Sequence, residues 1–216
     1  MATLDLFGSP AEGARDWLAP QAVVLRGRAL SCADELLDAV AAVIAQAPLR
    51  QMVTPGGLTI AVASTNCGVL GWTSDRRGYR YSREDPVTGR RWPAMPACFA
   101  QLARQAAADA GFPGFEPDAC LVNQYLPGTR LSLHQDKNER DFGAPIVSVS
   151  LGMAAVFLFG GHERADRAFK VNLHHGDVAV WGGADRLRYH GVMPLEDAPY
   201  AQLGSRRINL TFRKAG

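Results

Sequence analysis

From Asp118 onward the chain breaks into short apolar, β-branched segments separated by Gly, Pro or Asp turns. These are Ala119 to Tyr125, Ile146 to Leu151, Ala155 to Phe159, Val171 to Leu173, Val178 to Trp181 and Ile208 to Phe212. Two helical patterns precede them. The first offers Ser31 as N-cap, with acidic Asp34 and Glu35 in the first turn. Leu36, Leu37, Val40, Val43 and Ile44 then recur at helical spacing up to Pro48. The second starts after Pro96, spans about residues 97–110 and has Gly111 as its stop. Helices followed by closely spaced strands predict an α+β chain whose C-terminal part is a double-sheet jelly roll. Ala22 to Leu25 and Leu58 to Ser64 are further strand candidates, and residues before about 20 read as a poorly ordered lead-in.

At 216 residues the chain fits one domain with a substantial core, and a 47% hydrophobic, 20% charged composition excludes disordered and membrane-spanning classes. The net charge of +2 is too small to argue for nucleic acid by itself, so any basic surface is local. Cys32, Cys67, Cys98 and Cys120 are widely spaced and read as reduced, mostly buried residues. No secretory signal or membrane-length apolar run is visible, which makes the cytoplasm the expected address.

The chemistry concentrates in two places. After a Pro127-Gly128 turn, His134 and Asp136 stand two residues apart, so on a strand they share a face. With His190, fifty-four residues beyond Asp136, they can form the two-histidine, one-carboxylate triad of non-haem Fe(II) oxygenases. Taken alone His-x-Asp is weak, since a surface histidine beside an acid is common. His174 and His175 read as turn-flanking, and His162 as a solvated hairpin tip. At the C-terminus Arg207, Asn209, Thr211 and Arg213 alternate with Ile208, Leu210 and Phe212. A solvated outer face is the plain explanation. If that face points inward, its guanidiniums are buried cations that need an anion, and a dicarboxylate would suit. Asn123 and Tyr125 share a strand face and can donate to the same acid.

Residues 66–96 mix Trp72, Tyr79, Tyr81 and Trp92 with Arg76, Arg77, Arg80, Arg83, Arg90 and Arg91. This composition fits a surface that stacks on bases and neutralises phosphates. It fits equally a solvated loop whose aromatics cover the core.

Together, Asn123-x-Tyr125-x-x-Gly128-x-x-Leu131-x-x-His134-x-Asp136, Gly176-Asp177, Trp181, Tyr189-His190-Gly191 and Arg207-x-Asn209-x-x-x-Arg213 resemble the AlkB family of Fe(II)/2-oxoglutarate-dependent dealkylases of DNA and RNA. The likeness extends to residues 50–57, Thr65-Asn66-Cys67-Gly68, Leu70-Gly71-Trp72 and residues 92–96. It implies a double-stranded β-helix over residues 118–213 with a nucleotide-recognition lid over residues 50–96. It also implies Fe(II) on His134, Asp136 and His190, and 2-oxoglutarate on Asn123, Tyr125, Arg207, Asn209 and Arg213, with O2 as second co-substrate. Arg207 would take the distal carboxylate, and Arg213 would lie near the chelating end. Trp72 and His134 would sandwich a flipped base, with Thr54, Tyr79 and Arg164 as further contacts. The implied substrates are 1-methyladenine and 3-methylcytosine in single-stranded or flipped-base DNA or RNA, handled by a monomer without a membrane. Asn138 departs from an aspartate expected to face the base's exocyclic amine; its carbonyl oxygen can still accept that hydrogen bond, but without the charge.

Overall fold

The computed structural model describes residues 12–216. Strands β1 (Arg15–Ala19) and β2 (Ala22–Leu25) precede helix α1 (Ala33–Gln46). Strands β3 (Arg50–Val53), β4 (Thr59–Gly68), β5 (Gly71–Asp75) and β6 (Gly78–Ser82) lead to helix α2 (Ala97–Asp109). Eight more strands follow: β7 (Ala119–Tyr125), β8 (Leu131–His134), β9 (Ile146–Gly152), β10 (Ala155–Phe159), β11 (Phe169–Leu173), β12 (Val178–Trp181), β13 (His190–Val192) and β14 (Arg207–Arg213).

They assemble into an antiparallel eight-stranded sheet in the order β1, β2, β12, β9, β14, β7, β4, β3, a four-stranded sheet β11, β10, β13, β8, and the separate hairpin β5, β6. This is the jelly-roll architecture expected from the sequence. Strand alternation sets its layers. In β14, Ile208, Leu210 and Phe212 join Val122 of β7 and Val147 and Val149 of β9 beneath the helices, where they meet Leu36, Val40, Phe99 and Leu102. Phe99 and Phe212 pack edge to face with centroids 5.9 Å apart. Burial of each such side chain contributes about 1.5–3 kcal/mol. The opposite faces close a second core between the sheets, built from Tyr125, Ile146, Phe157, Phe159, Trp181 and Val192. Arg207, Asn209, Thr211 and Arg213 therefore point into the molecule, and all four are buried. The solvated face that alternation alone allowed is not what this strand has.

Helix ends follow local chemistry. Gly111 takes a φ of +91°, and the Gly111 and Phe112 amides donate to Ala108 O and Ala107 O, closing α2 with the paired bonds of a Schellman motif. Ala47, before Pro48, is extended and ends α1, because proline disfavours helical backbone in the residue preceding it. Two expectations change. Ser31 lies in a 3-10 turn, and Cys32 occupies the N-cap of α1 without a side-chain capping bond to the helix. Of the lead-in, Arg15–Ala19 is a strand paired with β2, tied down where Arg26 bonds Asp16 and Asp177; residues 1–11 lie outside the described residues.

Candidate metal centre and co-substrate pocket

His134 ends β8 and faces His190, the first residue of β13, as its register partner. Gly191 makes this approach possible: a Cβ there would stand 2.6 Å from Leu131 O and 3.2 Å from Leu133 N. The imidazole centroids are 4.4 Å apart. Nδ1 of His134 lies 2.9 Å from Ser132 O, and Nδ1 of His190 lies 3.0 Å from Arg188 O. A carbonyl only accepts, so both Nδ1 atoms carry the proton and both Nε2 atoms keep a free lone pair. Those Nε2 atoms are 3.7 and 3.8 Å from the Asp136 carboxylate, and one ligand atom from each of the three residues falls within 4.8 Å of the others. Three inward-facing donors of this kind suit a divalent first-row metal.

Asp136 is not held by strand alternation, because β8 stops at His134. It is aimed from elsewhere. Arg213 Nε and Nη2 donate to its Oδ2 at 2.9 and 2.7 Å, and Arg186 Nη1 donates to its backbone oxygen at 2.8 Å. Burial alone would raise the Asp136 pKa, but Arg213, then His190 and His134, outweigh it and hold the carboxyl far below its ordinary range. Burial and the neighbouring His134 push His190 down to about 3, against the pull of Asp136, so it is neutral and ready to ligate at physiological pH.

An interior polar pocket adjoins this cluster. Asn123, Asn209, Thr211, Ser64 and Ser148 bond one another: Ser64 Oγ donates to Asn123 Oδ1 at 2.7 Å, Asn123 Nδ2 to Asn209 Oδ1 at 3.2 Å and Asn209 Nδ2 to Ser148 Oγ at 2.8 Å. Arg207 is 1% exposed, lies over the Tyr125 ring at 5.0 Å and gives Nη2 to Ser150 Oγ at 2.9 Å. Its Nε and Nη1 are buried with no partner among the described residues. Burial depresses the Arg207 pKa, with Tyr125 opposing. A buried cation with two unused donors is costly unless an anion meets it. The pocket thus fits a carboxylate ligand, as the cluster fits a metal. Sequence reading missed Ser64, Ser148 and Ser150, whose small polar side chains carry no motif.

The arginine-aromatic stretch divides between its two readings. Trp92 is buried and Tyr81 half-buried; their Nε1 and hydroxyl donate to Ser82 O (3.0 Å) and Glu139 Oε1 (2.6 Å). These two cover the core. Trp72 and Tyr79, diagonal neighbours on one face of the β5–β6 hairpin, stack at 5.7 Å and 15°, and Tyr79 is exposed. Arg76 and Arg77 are exposed in the turn of this hairpin, Arg83, Arg90 and Arg91 are exposed further along the chain, and Arg80 pairs with Asp75. Trp72 Nε1 lies 3.2 Å from Asn138 Oδ1. An indole N–H only donates, so it occupies the oxygen expected to accept from a base and turns the Asn138 amide nitrogen the other way. Thr54 Oγ1 accepts from Leu58 N within its own turn at 3.1 Å. Arg164 is exposed, its guanidinium 5.3 Å from the centre of the Tyr189 ring, next to His190.

A double-stranded β-helix that gathers two histidines and a carboxylate beside a buried arginine with two unused donors defines an iron- and 2-oxoglutarate-dependent oxygenase. The model of the 2OG-Fe(II) oxygenase superfamily matches residues 22–213. The chain is 56% identical over 212 residues to the alpha-ketoglutarate-dependent dioxygenase AlkB of Salmonella typhimurium, with 98% of each chain covered. It is 34% identical over 116 residues to the mouse nucleic acid dioxygenase ALKBH1, covering 53% of this chain and 30% of that one. The solved structure of OsALKBH1 superposes with a TM-score of 0.80 at 27% identity, covering 93% of this chain and 100% of the other. The chain belongs to the AlkB family of the 2OG-Fe(II) oxygenase superfamily, and as such is a dioxygenase that uses Fe(II), 2-oxoglutarate and O2.

Proposed function

We propose that this dioxygenase removes N-methyl groups from nucleic-acid bases, 1-methyladenine and 3-methylcytosine foremost, in single-stranded DNA or RNA. Formaldehyde leaves, and 2-oxoglutarate and O2 become succinate and carbon dioxide. The observation that carries this reading is the Trp72–Tyr79 stack, with Tyr79 exposed, on a hairpin whose turn bears the exposed Arg76 and Arg77 and which Trp72 ties to Asn138, two residues beyond Asp136. Base stacking and phosphate neutralisation are what such a surface does best.

His134 and His190 would hold Fe(II) through Nε2, and Asp136 through a carboxylate oxygen. Bound there with both co-substrates, such a centre would supply the oxidising power that converts an N-methyl group to a labile hydroxymethyl. Arg207 takes the distal carboxylate of 2-oxoglutarate on Nε and Nη1, alongside Tyr125, while Asn123 and Asn209 shape the floor. Arg213 aims Asp136 and would lie near the end of 2-oxoglutarate that meets the metal. A duplex hides the alkylated edge, so the base enters flipped or already unpaired. It lies between Trp72 and His134, with Thr54, Tyr79 and Arg164 on the strand around it and Asn138 at its edge. Residues 50–96 act as the recognition lid and residues 118–213 as the catalytic core of one domain, working as a monomer in the cytoplasm. No described helix is long and apolar enough to cross a membrane.

Fluorescence anisotropy with a labelled single-stranded oligonucleotide carrying 1-methyladenine tests the stacking role. Trp72→Ala should cost about 1–3 kcal/mol, roughly a 5- to 150-fold loss of affinity, with Mn(II) binding unchanged. Equal oligonucleotide affinity would sink it.

A further inference from the structure

Glu139 is a buried acid that neither the triad nor the co-substrate pocket uses. Its side chain is 2% exposed, three residues beyond Asp136 in the loop after β8. Oε2 lies 3.2 Å from Arg186 Nη2, and the Arg186 side chain is itself 2% exposed. Oε1 accepts the Tyr81 hydroxyl at 2.6 Å and lies 3.4 Å from Arg213 Nε. Each of these partners reaches further. Arg213 donates twice to Asp136 Oδ2, and Arg186 holds the Asp136 backbone oxygen and, through Nε, Ala144 O at 3.1 Å. Tyr81 sits opposite Trp72 in the hairpin.

We infer that Glu139 is a positioning residue that registers the Trp72 hairpin to the metal carboxylate, through Tyr81 on one side and Arg213 on the other. Two guanidiniums and two carboxylates balance in this buried cluster. Without the Glu139 charge, Arg213 and Arg186 would present a net positive charge to a site that must take a divalent cation, and Arg213 would be free to draw Asp136 off line. Tyr81 adds the mechanical link. Among the described residues its hydroxyl makes the one hydrogen bond by which the hairpin reaches this cluster directly, so the placement of the Trp72 ring relative to the His134, Asp136 and His190 cluster is set through Glu139 as well as through Asn138. Rotation of Glu139 would misplace both ends together.

The two ends are separable. Glu139→Gln keeps an acceptor for Tyr81 but removes the charge, and Tyr81→Phe keeps the charge but removes the hairpin's tie to Glu139. Mn(II) affinity, read by electron paramagnetic resonance without substrate, and the absorption spectrum of the Co(II)-loaded protein report on Asp136. The KM and kcat for a methylated single-stranded oligonucleotide report on the hairpin. That second readout rests on the nucleic-acid reading above, whereas the first does not, so failure of either is distinguishable. Glu139→Gln should weaken Mn(II) binding by about tenfold or more and alter the Co(II) spectrum, as loss of a group supporting a metal ligand does. Tyr81→Phe should leave Mn(II) affinity within about twofold and raise KM by about three- to tenfold at nearly constant kcat, the cost of one hydrogen bond. Wild-type Mn(II) affinity and Co(II) spectrum in Glu139→Gln would overturn the proposal. So would an unchanged KM in Tyr81→Phe, a readout that remains even if the Gln variant fails to fold.

Discussion

Replacing Arg207 with methionine separates binding from stability. The guanidinium is 1% exposed, with two buried donors unpartnered among the described residues. Removing one member of a buried ion pair costs about 3–5 kcal/mol, so 2-oxoglutarate binding should weaken by about a hundredfold to a few thousandfold. The metal-free, co-substrate-free protein should behave oppositely. A buried charge exchanged for an apolar side chain of similar volume is neutral or stabilising by about 1–4 kcal/mol. Against that stands the lost bond to Ser150 Oγ, at about 1–3 kcal/mol. The two terms roughly cancel, so the thermal midpoint should stay within a few degrees of the wild type, at about 2–4 °C per kcal/mol for a chain of this size. Isothermal titration with 2-oxoglutarate on the Mn(II) protein and a thermal melt of the apoprotein measure the two quantities. Unchanged 2-oxoglutarate affinity would refute the assignment of Arg207, and a midpoint lower by ten degrees or more would refute the claim that its charge waits for a ligand.

Asn138→Asp restores a carboxylate beside Trp72. It should raise the turnover of cationic 1-methyladenine relative to a neutral methylated base by about tenfold, within the ~1 to ~4 kcal/mol that a unit charge pair contributes at 4 Å between water and near-surface dielectrics; an unchanged ratio in mixed-oligonucleotide mass spectrometry would remove Asn138 from base recognition. Gly191→Ala drives a Cβ into Leu131 O, so it should lose about 1–3 kcal/mol in denaturant melts and weaken Mn(II) binding as β13 moves from β8. The pH dependence of the metal-free protein follows from His190. Its pKa is about 3 when folded against 6.5 ordinarily, so between those values the unfolded chain binds more protons. Stability should be full above pH 6.5 and fall toward pH 3 by up to about 1.4 kcal/mol per pH unit from this group. A flat profile in urea melts would contradict the burial of His190.

That His134, Asp136 and His190 would come together was legible in the sequence, because they belong to a motif that is rare by chance once the arginine strand is added, and their ligand atoms do lie within 4.8 Å of one another. The strand faces were legible too, since alternation in β14 separates Arg207 and Arg213 from Leu210 and Phe212 without any structure. Which face points inward was not, because both faces of β14 are covered, one by helices and one by the second sheet. Only the position of α1 and α2 decides it. Glu139 and Arg186 were invisible for another reason. They meet across forty-seven residues of loop and strand, and an acid in a loop carries no periodicity. In the aromatic-arginine stretch, the hydrogen bonds of Trp92 and Tyr81 set these two apart from the exposed Tyr79, a distinction that composition cannot make.

The central claim, that this metal centre demethylates nucleic acid, is tested most directly in one reaction. Protein loaded anaerobically with Fe(II) is mixed with 2-oxoglutarate and a short single-stranded oligonucleotide bearing 1-methyladenine, oxygen is admitted, and the products are weighed by mass spectrometry. Loss of one methyl group, dependent on both iron and 2-oxoglutarate and accompanied by succinate, is the expected result. Succinate without loss of the methyl would contradict the nucleic-acid assignment, and neither product from verified iron-loaded protein would contradict the oxygenase itself.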